Sequence, residues 1–181
     1  MTTIIAAKTN NGITIVGDGQ VTADDIIDHN RMKIVKFHDY AMAFSGDARV
    51  AEIFEAKMPY GFPKIKLNEH WLIDLVIPLI DSIAEKYDLT DSWPDDASRK
   101  RWGFSVLLAT KRRLVKIDSY KDFWEGDTLS LGSGSDYAIG YVAGACGNTA
   151  STVTAESLCN AVRFASTHDQ FTNDNLQVVT I

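Results

Sequence analysis

Cysteine, long apolar runs and positive charge are scarce in this chain, and each scarcity closes off a class of protein. Its two cysteines, Cys146 and Cys159, stand in no CxxC or metal-ligand spacing. Both read as reduced, structural thiols, and neither a disulfide framework nor a thiolate-bound metal is expected. The four histidines, His29, His38, His70 and His168, form no HExxH pair and cluster with no cysteine, so neither a zinc centre nor any other cofactor is expected. No stretch approaches the roughly 18 apolar residues that span a bilayer, and the start lacks a basic segment followed by an apolar one. A cytoplasmic protein without membrane contact is the expectation. Positive charge is short as well: 18 Lys and Arg against 24 Asp and Glu leave a formal charge of −6. Phosphate contact wants clustered cations, so nucleic acid is not an expected partner. The one basic stretch, Arg99 to Arg101 with Lys111 to Arg113 nearby, reads as a solvated turn and strand end.

What is present is an ordinary globular composition, 45% apolar and 23% charged, with four prolines and no low-complexity segment. At 181 residues the chain buries one good core, and a single domain over 1–181 is expected. Two strands at Thr3 to Ala7 and Ile13 to Val16 flank the turn Asn10-Asn11-Gly12, which predicts an opening hairpin. Lys33 to Phe37 and Tyr40 to Phe44, parted by His38-Asp39, predict a second. Beyond Gly46, Asp47 is placed to cap a helix with Val50, Ile53, Phe54 and Met58 on one face, ending at Pro59. Glu69 to Tyr87 reads as a second helix with Leu72, Leu75, Val76, Leu79, Ile80 and Ile83 on its apolar face, and Pro78 predicts a kink or break. Asp88 to Lys100 is a polar excursion. Strands resume at Gly103 to Ala109, Arg113 to Ile117 and Thr128 to Leu131, and a helix starts near Asp136. Another follows Thr154 with Leu158, Val162, Phe164 and Ala165, and Leu176 to Ile181 closes the chain as a strand. Hairpins and helix pairs segregated in this way predict an α+β fold, a four-layer αββα sandwich of two antiparallel sheets flanked by helices.

Taken singly, the polar residues say little. Thr2 reads as a strand-opening threonine behind an initiator methionine. Gly17-Asp18-Gly19-Gln20 follows a strand but opens no helix and lacks GxGxxG, so a phosphate loop is a poor reading and a plain turn the simpler one. Lys33 heads an apolar strand between Met32 and Ile34, where a buried ammonium wants a carboxylate, and Asp18 is the candidate. Gly46 lies at a strand-to-helix junction, a place where backbone N–H groups and a helix dipole meet an oxyanion. A plain turn glycine serves equally well there.

Their joint order is specific. Thr2-Thr3-Ile4, Gly17-Asp18-Gly19-Gln20, Lys33-Ile34, Phe44-Ser45-Gly46, Gly132-Ser133-Gly134-Ser135 and Asp169-x-x-Thr172 together resemble proteasome β-type and HslV-like threonine peptidases. The resemblance implies an N-terminal-nucleophile hydrolase fold, in which Thr2 becomes the nucleophile once Met1 is removed and its own α-amine serves as base. It implies that Asp18 holds Lys33, that the N–H of Gly46 stabilises the oxyanion, and that Ser133 and Asp169 orient the amine. By the same resemblance Val21, Arg31, Phe44 and Ala48 bind the substrate side chain. The implied partners are copies of the chain in a stacked six- or seven-membered ring, a AAA+ ATPase unfoldase, and unfolded polypeptide as substrate. Thr172 stands where serine is usual and Asn173 where glycine is, and 59–127 carries no matching motif. Three other readings stay open: a ring subunit of this fold without catalysis, an amidase for small molecules, and an unrelated binding module.

Overall fold

The computed structural model describes residues 2–23, 26–58, 70–93, 95–147 and 152–181. The chain opens with β1 (Thr3–Thr9), β2 (Gly12–Asp18), β3 (Val21–Ala23), β4 (Ile26–Asp28), β5 (Ile34–Lys36) and β6 (Tyr40–Gly46). Helix α1 (Val50–Lys57) follows, then a π-helical turn over Leu72–Val76 that runs into α2 (Ile77–Lys86). The second half comprises β7 (Thr90–Ser92), β8 (Lys100–Trp102), β9 (Phe104–Thr110), β10 (Leu114–Ile117), β11 (Phe123–Glu125), β12 (Thr128–Gly132), α3 (Ser135–Cys146), α4 (Ala155–Ser166) and β13 (Leu176–Thr180).

Among the described residues the strands form a four-stranded sheet ordered β12-β1-β2-β13 and a five-stranded sheet ordered β11-β10-β9-β6-β5. All of their pairings are antiparallel. Alternation along each strand divides the apolar residues between two faces. From β1 and β2, Ile4, Ala6, Ile13 and Ile15 meet Ala41, Ala43, Leu107 and Ala109 of the other sheet in one cluster. Their neighbours Ile5, Ala7 and Val16 turn the other way, onto Ala138, Val142, Leu158 and Val162 of α3 and α4. From β6 and β9, Tyr40, Met42, Phe44, Phe104, Val106 and Leu108 join Val50 and Phe54 of α1 and Val76, Ile80 and Ile83 of the second helical segment. Strands covered on both faces read as unbroken apolar runs, and Ile4 to Ala7 and Val106 to Ala109 are such runs. Each fully buried Ile, Leu or Phe contributes about 1.5–3 kcal/mol of transfer free energy.

Several sequence expectations are corrected. Asp47 does not cap α1, which begins at Val50 with Arg49 at its N-cap; Asp47 accepts the Arg49 N–H at 2.8 Å and ties down the turn before it. The irregularity expected at Pro78 takes the form of a π-helical segment that interrupts the α-helix just before it. Pro78 sits in the first turn of α2, and the π-turn before it lets the Ile77 N–H reach the Leu72 carbonyl. That wider turn makes room for a ring that would otherwise crowd the Asp74 carbonyl. Glu69 and Pro59, the expected helix ends, lie outside the described residues. The polar excursion holds two paired strands, β7 and β8, with Asp91 opposite Arg101. Phe164 is 40% exposed and packs against Tyr141 and His168 on the outer surface of α3 and α4 instead of the core. No helix among the described residues is long and apolar enough to cross a membrane.

Trp102 is fully buried, and its indole N–H donates to Asp81 at 2.7 Å, which also pairs with Lys121. The helix start expected at Thr154 is a complete capping box: Thr154 Oγ1 accepts the Ser157 N–H at 3.1 Å, and Ser157 Oγ accepts the Thr154 N–H at 2.9 Å. Thr154→Ala is expected to cost about 1 kcal/mol and to lower Tm by roughly 2–4 °C for a chain of this size, read by thermal melting.

Candidate active site

Thr2, Asp18 and Lys33 meet because the ends of three strands meet. Thr2 precedes β1, Asp18 ends β2 in the same hairpin, and Lys33 precedes β5 in the facing sheet. All three are buried, with Asp18 wholly inaccessible. Removing an ammonium and a carboxylate from water costs several kcal/mol per ion, so such a pair persists only when every hydrogen-bonding position is filled. Here they are filled. Lys33 Nζ donates to Asp18 Oδ1 and Oδ2 at 3.1 Å each, to Thr2 Oγ1 and to the Gln20 carbonyl. Asp18 also accepts the Thr2 hydroxyl and the backbone N–H groups of Thr3 at 2.8 Å and Gln20 at 2.9 Å. Burial pushes the Lys33 ammonium below its ordinary pKa, opposed by the charge and hydrogen bonds of Asp18 and by the charge of Asp169.

A second group adjoins the first. Asp169 Oδ2 accepts Ser133 Oγ at 2.6 Å and Thr172 Oγ1 at 2.7 Å, and Thr172 Oγ1 lies 2.6 Å from Thr3 Oγ1. The loop after α4 is thereby tied to the start of β1. Gly132, at φ +90°, passes so close that a Cβ there would sit 1.9 Å from the Thr2 carbonyl oxygen. No other residue fits that position. Thr3 and Thr172 were not singled out as site residues from the sequence, although Thr172 carries the Asp169-x-x-Thr172 spacing. For Thr3 the sequence carries no local signal, since its burial is created by the fold.

Gly46 closes the site from the facing sheet. Its φ is +124°, and a Cβ would fall 2.4 Å from the Gly103 carbonyl oxygen. The Phe44 N–H donates across to the Lys33 carbonyl at 3.0 Å. Alternation puts the Gly46 N–H on that same edge of β6, beyond the start of β5. Thr2, Lys33, Phe44 and Gly46 line one pocket of about 240 Å³ together with Val21 and Ala48. Met32, Thr22, Ser45, Asp47 and Ala51 complete its wall, and sequence reasoning did not single them out. Arg31 is absent from the lining. Its guanidinium pairs with Glu52 and, at 3.4 Å, with Asp28. The hydrogen bond from the Arg49 guanidinium lowers the pKa of Asp47, so its charge is already answered.

Asp18→Asn keeps the shape of the side chain and leaves Lys33 buried without a counter-ion. The expected cost is about 3–5 kcal/mol, read as a lower urea midpoint at unchanged m-value.

No family model matches the chain. Its sequence is 25% identical to the ATP-dependent protease subunit HslV of Desulfovibrio desulfuricans over 193 residues, 99% of this chain and 97% of that one. It is 27% identical to the same-named subunit of Petrotoga mobilis, again over 99% of this chain and 97% of the relative. Among solved structures, Thiobacillus denitrificans BPH matches with a TM-score of 0.80 at 19% identity, over 99% of this chain and 97% of that chain. That protein is also known in complex with epoxomicin. HslV from Trypanosoma brucei matches with a TM-score of 0.66 at 20% identity, over 98% of both chains. The structural likeness carries the α+β fold, and the full-length sequence likeness supports an HslV-like, proteasome β-type peptidase of the threonine class.

Proposed function

We propose that the mature chain begins at Thr2 and works as an endopeptidase subunit. One observation carries the reading: Thr2 Oγ1, Lys33 Nζ and Asp18 form a single buried hydrogen-bonded group at the wall of a pocket that Gly46 also lines. In this reading the Thr2 α-amine, freed by loss of Met1, takes the hydroxyl proton as Oγ1 attacks the scissile carbonyl. The oxyanion of the tetrahedral intermediate lies against the Gly46 N–H. Collapse breaks the C–N bond, the proton passes to the leaving amine, and the acyl group remains as an ester on Thr2. Water, deprotonated by the same amine, then releases the acid. Ser133 and Asp169 orient the amine through Thr3 and Thr172. A free α-amine titrates near ~7.7–8.0, and the adjacent Lys33 ammonium disfavours its protonation, so more of it is neutral at pH 7. Val21, Met32, Phe44 and Ala48 give the acyl-side pocket an apolar wall that suits apolar or mixed side chains. Arg31 acts at most through Glu52 of α1.

The clusters between the two sheets and beneath each helix pair support a four-layer αββα sandwich built as one domain over 1–181. By analogy with its relatives the chain assembles into stacked six- or seven-membered rings in the cytoplasm. A AAA+ ATPase feeds unfolded polypeptide to the enclosed sites. Sequestration has a physical motive, since an exposed N-terminal threonine peptidase would attack its neighbours. The opposed reading, a ring subunit without catalysis, would be supported by retention of Met1. The amidase reading requires turnover of small amides but not peptides.

Intact-protein mass is expected to show Met1 absent. Thr2→Ala is expected to lower kcat by about 10³-fold or more with the fold retained by circular dichroism. Lys33→Ala removes the cation that depresses the amine pKa, so the acid limb of the kcat profile moves to higher pH. Wild-type kcat and an unmoved limb would leave Lys33 a structural role alone. Light scattering is expected to report a ring assembly, and an active monomer of 20.0 kDa would refute the enclosed chamber while leaving the Thr2 chemistry standing.

A further inference from the structure

A second pocket, of about 350 Å³, lies on the far side of Gly46 from the first, and the peptidase chemistry leaves it unassigned. Ser45 and Gly46 line both pockets. The first holds Thr2, Val21 and Ala48, whereas the second is bounded by Gly132, Ser133 and the β7–β8 hairpin through Asp91 and Arg101. A carbonyl seated at the Gly46 N–H therefore has a cavity on either side. One takes the acyl-side residue, so the other faces the residue that leaves with the amine.

The chemistry of that second cavity is set by Arg101. Its guanidinium is half-buried in the lining, and Nη1 donates to the Tyr120 hydroxyl at 3.2 Å. Nε is covered from solvent and has no acceptor among the described residues. Because Nε is covered, a guest in the cavity meets the guanidinium at its remaining N–H groups, and a carboxylate answers that charge with a charge-assisted hydrogen bond. Asp91 stands opposite Arg101 in the hairpin register and lines the same cavity, yet forms no ion pair with it among the described residues. It acts against an acidic guest without cancelling Arg101. The head group is also placed by aromatics: Arg101 lies over the Tyr120 ring, and Trp93 packs edge-on against that ring at 4.7 Å.

We infer that the cavity between Gly46 and the β7–β8 hairpin is the leaving-side subsite, and that Arg101 makes it select an Asp or Glu immediately after the cleaved bond. This rests on the peptidase reading, and the test separates the two. Internally quenched peptides that differ only in the residue after the cleaved bond, Glu against Lys, are compared with a peptide carrying a fluorophore amide in that place. Wild type is expected to cleave the Glu peptide roughly five- to tenfold faster in kcat/KM. Arg101→Gln is expected to abolish the ratio, Arg101→Lys to retain part of it, and Asp91→Asn to raise it. A ratio unmoved by Arg101→Gln in a folded protein, or lowered by Asp91→Asn, would overturn the subsite. Wild type that cleaves the fluorophore amide but treats Glu and Lys alike overturns the subsite and leaves the peptidase reading intact. Wild type that cleaves none of the three overturns both.

Discussion

The buried contact between Lys33 and Asp18 is the constraint on which the site depends. It is an expensive contact, since both ions have left water, and its attraction alone does not repay that cost. The remaining positions must be filled by neighbours, and those neighbours are the parts of the site. Thr2 and Thr3 are drawn to Asp18 from the chain start, Gln20 turns back over it, and the Asn173 N–H approaches it at 3.5 Å from the loop after α4. A pair of this kind specifies geometry more than it stabilises. It fixes the distance between a hydroxyl and an ammonium within a sheet interface that would otherwise be apolar throughout.

The two sheets supply the rigidity. β1 and β2 carry Thr2 and Asp18 on adjoining ends of one hairpin, and β6 brings Gly46 from the facing sheet. Their interior residues are buried on both faces, so the strand ends cannot drift without opening a core. Loops then need only short polar ties. Gln177 of β13 shows how short these are: its Oε1 accepts the Lys33 N–H at 2.9 Å, and its Nε2 donates to the Arg31 carbonyl. The last strand thus sets the entry of β5 by one side chain.

Much of this was legible in order and little of it in space. The long strands and the capped helix behind Thr154 announced themselves by apolar runs, a turn dipeptide and a capping residue, which are local signals. The short strands β3, β4, β7, β8 and β11 did not, because three residues carry no period and their side chains are largely exposed or polar. Pro78 pointed to an irregularity without giving its form: proline disrupts a regular α-turn, and a π-turn widens the helix enough to pass it. Arg31 was expected in the pocket, and the competing partner Glu52, 21 positions away, removed it.

Sequence by itself determined which residue types were available for chemistry and in what order: a threonine behind the initiator methionine, a carboxylate closing one hairpin, and a lysine heading an apolar strand that demanded a counter-charge. It pointed to strands covered on both faces, because unbroken apolar runs must be buried on each side. Tertiary structure alone decided that Arg31 turns to Glu52, that Thr172 links Thr3 to Asp169, and that Gly46 lines two cavities. The physical reason is range. Propensity and periodicity act over a few residues, whereas desolvation is settled by whatever the packed sheets bring within about 3 Å, the reach of a hydrogen bond.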